Sequence, residues 1–188
     1  MKRKVTRITA ARAKGAEART SGAKASALDW ATLCPVGRSA AVVGDRWTLL
    51  VLRELFSENR RFEEIQAQSG ATPQMVAARL KTLEAEGMVE RRIYSERPLR
   101  HDYHLTKKGE AFYPVILALR AWGETWLKTP KEGRTVDFIH KTCGKPAGLG
   151  TACESCGKVL KRADLAGDFN PTYQAERDAR WAAFKASR

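Results

Sequence analysis

Residues 62–94 read FEEIQAQSGATPQMVAARLKTLEAEGMVERRIY, and this stretch decides the fold. Its first apolar residues mark a short helix that Gly70 closes. Thr72 then offers a hydroxyl cap ahead of Pro73, which predicts a second helix that stops at Gly87. A short helix, a glycine-containing turn and a second helix form the helix-turn-helix pattern. The second helix is therefore the candidate recognition helix.

The residues after this second helix predict two short β-strands. Residues 88–94 and 102–106 are rich in β-branched and aromatic side chains, which favour strands. Between them lies the basic, proline-containing loop Ser95–Arg100, which we expect not to pair internally. A hairpin directly after a recognition helix is a wing. The predicted fold class is mainly α with a small β-hairpin, a winged helix-turn-helix with flanking dimerisation helices.

Two helices are predicted before this module. Asp45 is a good N-cap for a helix over Arg46–Phe56, whose apolar side chains recur at helical spacing. Pro35 and Gly44 bracket a shorter helix upstream.

A broad apolar stripe is predicted on one further helix, which follows Lys107. The stripe is made of Phe112, Val115, Ile116, Leu119, Trp122 and Trp126. It packs either against residues 28–43 of the same chain or against a second copy. We favour a homodimer, because so small a domain leaves one side of the stripe without an intrachain partner. A symmetric dimer would present two recognition helices about 34 Å apart to a pseudo-palindromic site.

A set of short motifs runs in order through residues 33–127. They are CPV at 34–36, GDRW at 44–47, RFEEI at 61–65, RLKTLEAEG at 79–87, VER at 89–91 and YHLTKKG at 103–109, followed by Leu117, Leu119, Trp122 and Gly123. This ordered set resembles the HxlR-type branch of the winged helix-turn-helix transcriptional regulators, within the MarR-like superfamily. The resemblance implies a dimeric bacterial DNA-binding repressor or activator.

The start of the recognition helix carries the residues able to reach base edges in the major groove, which are Thr72, Pro73, Gln74 and Met75. Gln74 is the best candidate for base readout, because its amide can pair with N6 and N7 of adenine. Arg79 reaches a phosphate or a guanine, or it pairs within the chain with Glu63 or Glu64.

The wing supplies three further DNA-binding candidates. Arg97, Arg100 and His101 are placed to meet the minor groove or the flanking phosphates. The alternative is that arginines on a nearly neutral domain are only solvated. A salt titration of DNA binding separates the two, because loss of a phosphate contact lowers the salt slope by about one.

A second cluster of chemistry-bearing residues lies near the C-terminus. His140 and Cys143 form one pair, Cys153 and Cys156 form another, and Gly144 and Gly157 follow a cysteine in each. One histidine and three thiols satisfy tetrahedral Zn²⁺ without an open position, so the predicted cofactor is structural zinc. The alternative is three reduced thiols in a flexible extension.

Cys34 is separate from that cluster and precedes Pro35 at a predicted helix start. Helix N–H dipoles and Arg38 favour its thiolate. By resemblance it matches the cysteine that senses oxidants or electrophiles in some HxlR-type members. An inert buried thiol is the alternative.

The net charge of +13 is unevenly spread. Residues 1–27 hold eight basic residues and one acidic residue, which predicts a disordered basic arm. Residues 28–129, the predicted winged domain, carry a net charge of only +2, and residues 130–188, the predicted extension with a short terminal helix, carry +4. The arm is interpreted either as a solubilising tail without a partner or as a segment that binds nucleic acid. A transit peptide is disfavoured because an aliphatic face is missing.

These features predict a cytoplasmic, nucleoid-associated transcription regulator that binds double-stranded DNA as a homodimer, with no membrane partner. The competing hypothesis is an accessory protein whose basic arm and zinc knuckle bind nucleic acid without sequence preference. An enzyme is not expected, since nucleophile-elbow, phosphate-loop and open metal patterns are missing from the sequence.

Overall fold

A computed structural model of the chain describes residues 33–188. The helices that precede the hairpin are α1 Pro35–Val43, α2 Arg46–Phe56, α3 Phe62–Ser69 and α4 Pro73–Ala85. The hairpin consists of β1 Val89–Glu96 and β2 Leu99–Leu105, and it is followed by α5 Lys107–Glu110 and α6 Tyr113–Trp126. The C-terminal segment, residues 130–188, contains β3 Ile139–His140, β4 Lys145–Pro146, β5 Leu165–Ala166 and α7 Pro171–Ala186. The basic arm predicted for residues 1–27 lies outside the described residues.

The helix boundaries follow from side-chain caps. Asp45 accepts hydrogen bonds from the backbone N–H groups of Trp47 and Thr48, at 3.0 and 3.3 Å. Thr72 accepts one from the N–H of Met75 at 3.3 Å. Gly70 takes a left-handed φ of 69° and ends α3, which turns the chain towards α4. The predicted mainly helical winged fold is confirmed.

The core of the winged domain is formed by α2, α3 and α4. Val51, Leu52, Ile65, Val76 and Leu83 have no accessible surface. They recur at helical spacing, so each helix turns one apolar face inward. The opposite face of α4 is left exposed.

The hairpin is longer than the sequence predicted, and the expectation of an unpaired loop at 95–100 is wrong. Ser95 pairs with Arg100 and Glu96 with Leu99, so only two residues form the turn. Each further pair of residues adds backbone hydrogen bonds, so an antiparallel hairpin is stabilised by extension up to the point where a short turn can close it.

The helix predicted after Lys107 is divided. The short helix α5 ends at Glu110, and α6 begins at Tyr113 with Phe112 as its N-cap residue. Pro114 lies in the first turn of α6. A proline there has no N–H to donate to the preceding turn and fits a helix start, which accounts for the break.

The C-terminal segment contains more regular secondary structure than the sequence predicted, which was a zinc knuckle followed by a short helix. Strand β3 pairs antiparallel with both β4 and β5 to form a small sheet. The terminal helix α7 has 16 residues, begins at the cap Asn170 and packs against α3. The segment thus contacts the first helix of the helix-turn-helix.

Candidate nucleic-acid interface and metal centre

The N-terminal end of α4 is open to solvent. Thr72, Pro73, Gln74 and Met75 are all exposed, as are the small residues Ala77 and Ala78 on the next turn. The small side chains leave room for close approach of another surface. The structure thus brings the predicted base-reading residues together on one accessible helix end.

The wing arginines are also accessible. Arg97 lies in the turn of the hairpin and Arg100 at the start of β2, and both are exposed. His101 is half-buried opposite Ile93. Sequence reasoning missed Ile93, Tyr94 and Leu99 as surface residues, although they are 59, 43 and 61 % exposed. Their residue types indicated only a strand, and a two-stranded hairpin has too few neighbours to cover both faces.

Other arginines near α4 have partners within the chain. Arg79 Nε lies 3.2 Å from Asp45 Oδ1, so it pairs internally, with Asp45 and not with Glu63 or Glu64. Arg91 Nε donates to Glu84 Oε1 at 2.8 Å. These pairs join α4 to the cap of α2 and to the hairpin, and they orient the recognition helix on the domain.

The four predicted metal ligands converge. Sγ of Cys143 lies 3.8 Å from Sγ of Cys153 and 3.5 Å from Nδ1 of His140. Sγ of Cys156 lies 3.3 Å from the same nitrogen, and all four donor atoms lie within 4.8 Å of one another. Tetrahedral Zn²⁺ with bonds of about 2.1–2.3 Å separates its ligands by about 3.6–3.8 Å. The cluster can therefore hold a metal ion of this kind.

Two similar turns build this cluster. Gly144 N–H donates to the carbonyl of His140, and Gly157 N–H donates to that of Cys153, both at 2.8 Å. The two glycines have φ of 68° and 72°, a left-handed conformation that side chains rarely adopt.

The electrostatics of the cluster favour a cation. Burial opposes ionisation of Cys153, but N–H groups of Ser155 and Cys156 donate to its sulfur and lower its pKa to about 6. The pKa of Cys156 is raised, because desolvation and the adjacent thiols outweigh the N–H of Lys158. One thiolate thus disfavours a second beside it, and a bound cation would remove that conflict.

The apolar stripe lies on α6, as predicted, and much of it is exposed. Val115 and Leu119 are each 45 % exposed, Trp122 is 55 % exposed and Trp126 is 72 % exposed. Phe112 and Ile116 are half-buried and pack against the core. Large exposed tryptophans on one helix face are typical of an interaction surface.

Cys34 lies at the N-cap of α1 and is exposed, so the alternative of a buried thiol is wrong. Its predicted redox role stays a prediction. Within residues 33–188, no helix is both long and apolar enough to cross a membrane.

Comparison with known proteins agrees with this geometry. The family model of the HxlR-like helix-turn-helix matches residues 42–131. The HTH-type transcriptional regulator Rv3095 of Mycobacterium tuberculosis is 36 % identical over 141 residues, which are 75 % of this chain and 89 % of the relative. The chain belongs to the HxlR-like helix-turn-helix family. The resemblance found in the motifs is confirmed.

Further relatives of this HxlR-like chain lead to the same family and fold. YvaP of Bacillus subtilis, another HTH-type transcriptional regulator, is 32 % identical over 102 residues, which are 53 % of this chain and 94 % of YvaP. The crystal structure of the candidate transcription factor PA1607 has a TM-score of 0.57 and 31 % identity, and the match covers 71 % of this chain and 93 % of that one.

Proposed function

We propose that this chain is a transcriptional regulator that binds a pseudo-palindromic DNA operator as a homodimer. The observation that carries the proposal is the exposed start of α4 beside the exposed wing arginines. An α-helix end of this kind fits the major groove, and a flanking wing meets the neighbouring backbone. Membership of a family of helix-turn-helix regulators supports the same function.

Specificity rests on α4 and affinity on the wing. Gln74 is the base-reading residue, with Thr72, Pro73 and Met75 around it, and Arg97, Arg100 and His101 contact the backbone or the minor groove. Arg79 is a positioning residue, because its guanidinium pairs with the capping carboxylate of Asp45.

The exposed stripe on α6 forms the dimer interface. Trp122 and Trp126 are its anchors, because burying an indole removes a large apolar area from water. Trp122→Asp is expected to convert a dimer into a monomer in sedimentation, and the exposed Lys161→Asp serves as control. A wild-type chain that sediments as a monomer at micromolar concentration would contradict this interface.

Zinc is the metal proposed for the cluster of His140, Cys143, Cys153 and Cys156. The bound ion would supply structural cross-linking of the two glycine turns, and the four donors complete its coordination. Residues 130–188 then fold as an extension of the winged domain, and residues 1–27 add non-specific basic affinity.

The decisive experiment selects sequences from a random DNA pool and then measures affinity against salt. Gln74→Ala is expected to weaken the selected site by about 1–3 kcal/mol and to relax base preference. Arg100→Ala should lower the salt slope by about one, whereas Lys161→Ala should not. Equal binding of random duplex and selected site would instead favour the sequence-independent accessory protein.

A further inference from the structure

A cavity of about 690 Å³ lies between the winged domain and the C-terminal segment. Its walls on the winged side come from α2 and α6, and those on the other side from residues around β3 and the start of α7. The lining is mostly apolar and includes Phe56, Ile116, Leu117, Val136, Phe138 and Phe169. Pockets that bind small molecules commonly measure about 300–1,000 Å³ and have such walls.

Arg120 projects from α6 into this apolar wall. Its Nη2 donates to the carbonyl of Val136, and its guanidinium carbon lies 4.9 Å from the ring centre of Phe138. Its Nε and Nη1 atoms are buried and have no hydrogen-bond acceptor among residues 33–188. Buried donors of a charged group are nearly always satisfied in native proteins, so these two atoms call for an acceptor.

The other arginines of the cavity already have acceptors. Arg53 donates to Glu54 and to the carbonyl of Gln68. Arg162 donates to the carbonyl of Phe56 and to Glu58. Arg120 is therefore the guanidinium able to receive an additional anion.

The nearby carboxylates do not hydrogen-bond Arg120. Glu124 accepts from Thr135 and Lys128, and Asp137 accepts from Arg134. Asp168 lines the cavity but is exposed to water. Burial lowers the pKa of Arg120 and outweighs the attraction of Glu124 and Asp137.

We propose that the cavity is a binding site for a small amphipathic carboxylate, such as an aromatic or medium-chain acid. The carboxylate accepts from an unsatisfied donor of Arg120, and the hydrocarbon body lies among the phenylalanine and aliphatic side chains. A charged acceptor satisfies the guanidinium, and the apolar part leaves water.

The test compares acids with a neutral analogue by calorimetry on the full chain. The probes are 2-naphthoate, decanoate and 2-naphthalenemethanol. We expect at least one acid to bind, and 2-naphthoate to bind more tightly than the alcohol. Arg120→Met should weaken acid binding at least tenfold and leave the alcohol unchanged, while Arg92→Met, on the exposed surface of the hairpin, should change neither. Undetectable binding of both acids at millimolar concentration, or equal binding of 2-naphthoate by wild type and Arg120→Met, would overturn the proposal.

A second variant covers the case in which Arg120→Met does not fold, since Arg120 also holds the carbonyl of Val136. Ile116→Trp fills the cavity from α6 and leaves the guanidinium in place. It is expected to abolish binding of the acids and the alcohol together, with circular dichroism as the check on folding. Retained acid binding by a folded Ile116→Trp would place the ligand elsewhere and contradict the site.

Discussion

The winged domain and the C-terminal segment are held together by different interactions. In the winged domain, side chains such as Leu52, Ile65 and Leu83 are fully buried and apolar. In the C-terminal segment fewer large apolar side chains are buried, chiefly Leu160 and Leu165, and the attachment to the winged domain includes polar contacts over more than one hundred positions of sequence. Hydrophobic burial spreads stability over many residues, whereas ligands and ion pairs concentrate it in a few.

The main polar attachment is a buried ion pair between α2 and α7. Arg177 donates to both carboxylate oxygens of Glu54, at 3.2 and 2.7 Å. Arg53 and Asn59 donate to the same carboxylate at 2.7 and 2.6 Å. The Nε2 of Gln68, in α3, donates to the backbone carbonyl of Arg177 at 2.9 Å. This network connects the C-terminal helix directly to the helix-turn-helix.

Removal of metal is expected to have the largest effect, and to act on one region only. Structural zinc contributes on the order of 10 kcal/mol to small sites. Chelation or Cys153→Ser should therefore unfold residues 134–170, because the few buried apolar side chains there, such as Leu160 and Leu165, do not replace the metal cross-link, while α2 to β2 stay folded. Hydrogen exchange measured along the chain checks this.

Cys34→Ser is the matched control, because it removes a thiol outside the cluster. Protection of residues 134–170 that survives complete chelation would contradict the proposed structural zinc.

Arg177→Met is expected to destabilise the protein by about 3–5 kcal/mol, because it leaves the fully buried Glu54 carboxylate without its main cation. Arg92→Met should cost less than about 1 kcal/mol, since Arg92 pairs with Glu90 at the surface. Denaturant unfolding of both variants measures the difference. Equal losses of unfolding free energy in the two variants would show that the buried pair stabilises the fold no more than the surface pair does.

Much of the winged domain could be predicted because its signals are local. Asp45 and Thr72 are caps within three residues of their partners, and the apolar spacing of α2 repeats within eleven residues. The metal cluster was also predictable, since its spacing repeats in two pairs. The partnership of Glu54 with Arg177 was not, because a single sequence does not show which charges meet across 123 positions.

The pH dependence of the unfolding free energy also reports on the pair of Glu54 and Arg177, with a smaller expected effect than the Arg177→Met substitution. Burial raises the pKa of Glu54, but the hydrogen bond from Arg177 and the charge of Arg53 outweigh it, and the pKa is lowered overall. A lowered pKa stabilises the fold above the unfolded value of about 4.3, and this stability is lost as the pH falls through the folded value.

Wild type should therefore lose stability below about pH 4.3 more steeply than Glu54→Gln, although other carboxyls titrate in both. Unfolding free energies between pH 7 and pH 3 test this. Parallel curves would mean that Glu54 titrates alike in the folded and unfolded chain.

The smallest effect on stability is expected from alkylation of thiols, which distinguishes the two regions by the proposed metal coordination of the cluster thiols. Cys34 is exposed at the start of α1, whereas the other three thiols are the proposed metal ligands. Iodoacetamide should modify Cys34 first, and the cluster thiols only after chelation. Mass spectrometry of the modified chain reports the order.

If Cys34 is also a redox sensor, diamide should lower DNA affinity in wild type and not in Cys34→Ser. An equal response in both proteins would exclude sensing through this residue.

The separation of Glu54 from Arg177 also has a consequence for synthesis on the ribosome. The two residues are 123 positions apart, so the carboxylate leaves the ribosome about 6–25 s before its partner at 5–20 residues per second. During that interval the C-terminal end of α2 carries an acidic group at a position that later becomes fully buried. The Glu54 carboxylate therefore gains its buried cation only after α7 is made, and until then only Arg53 and Asn59 can donate to it.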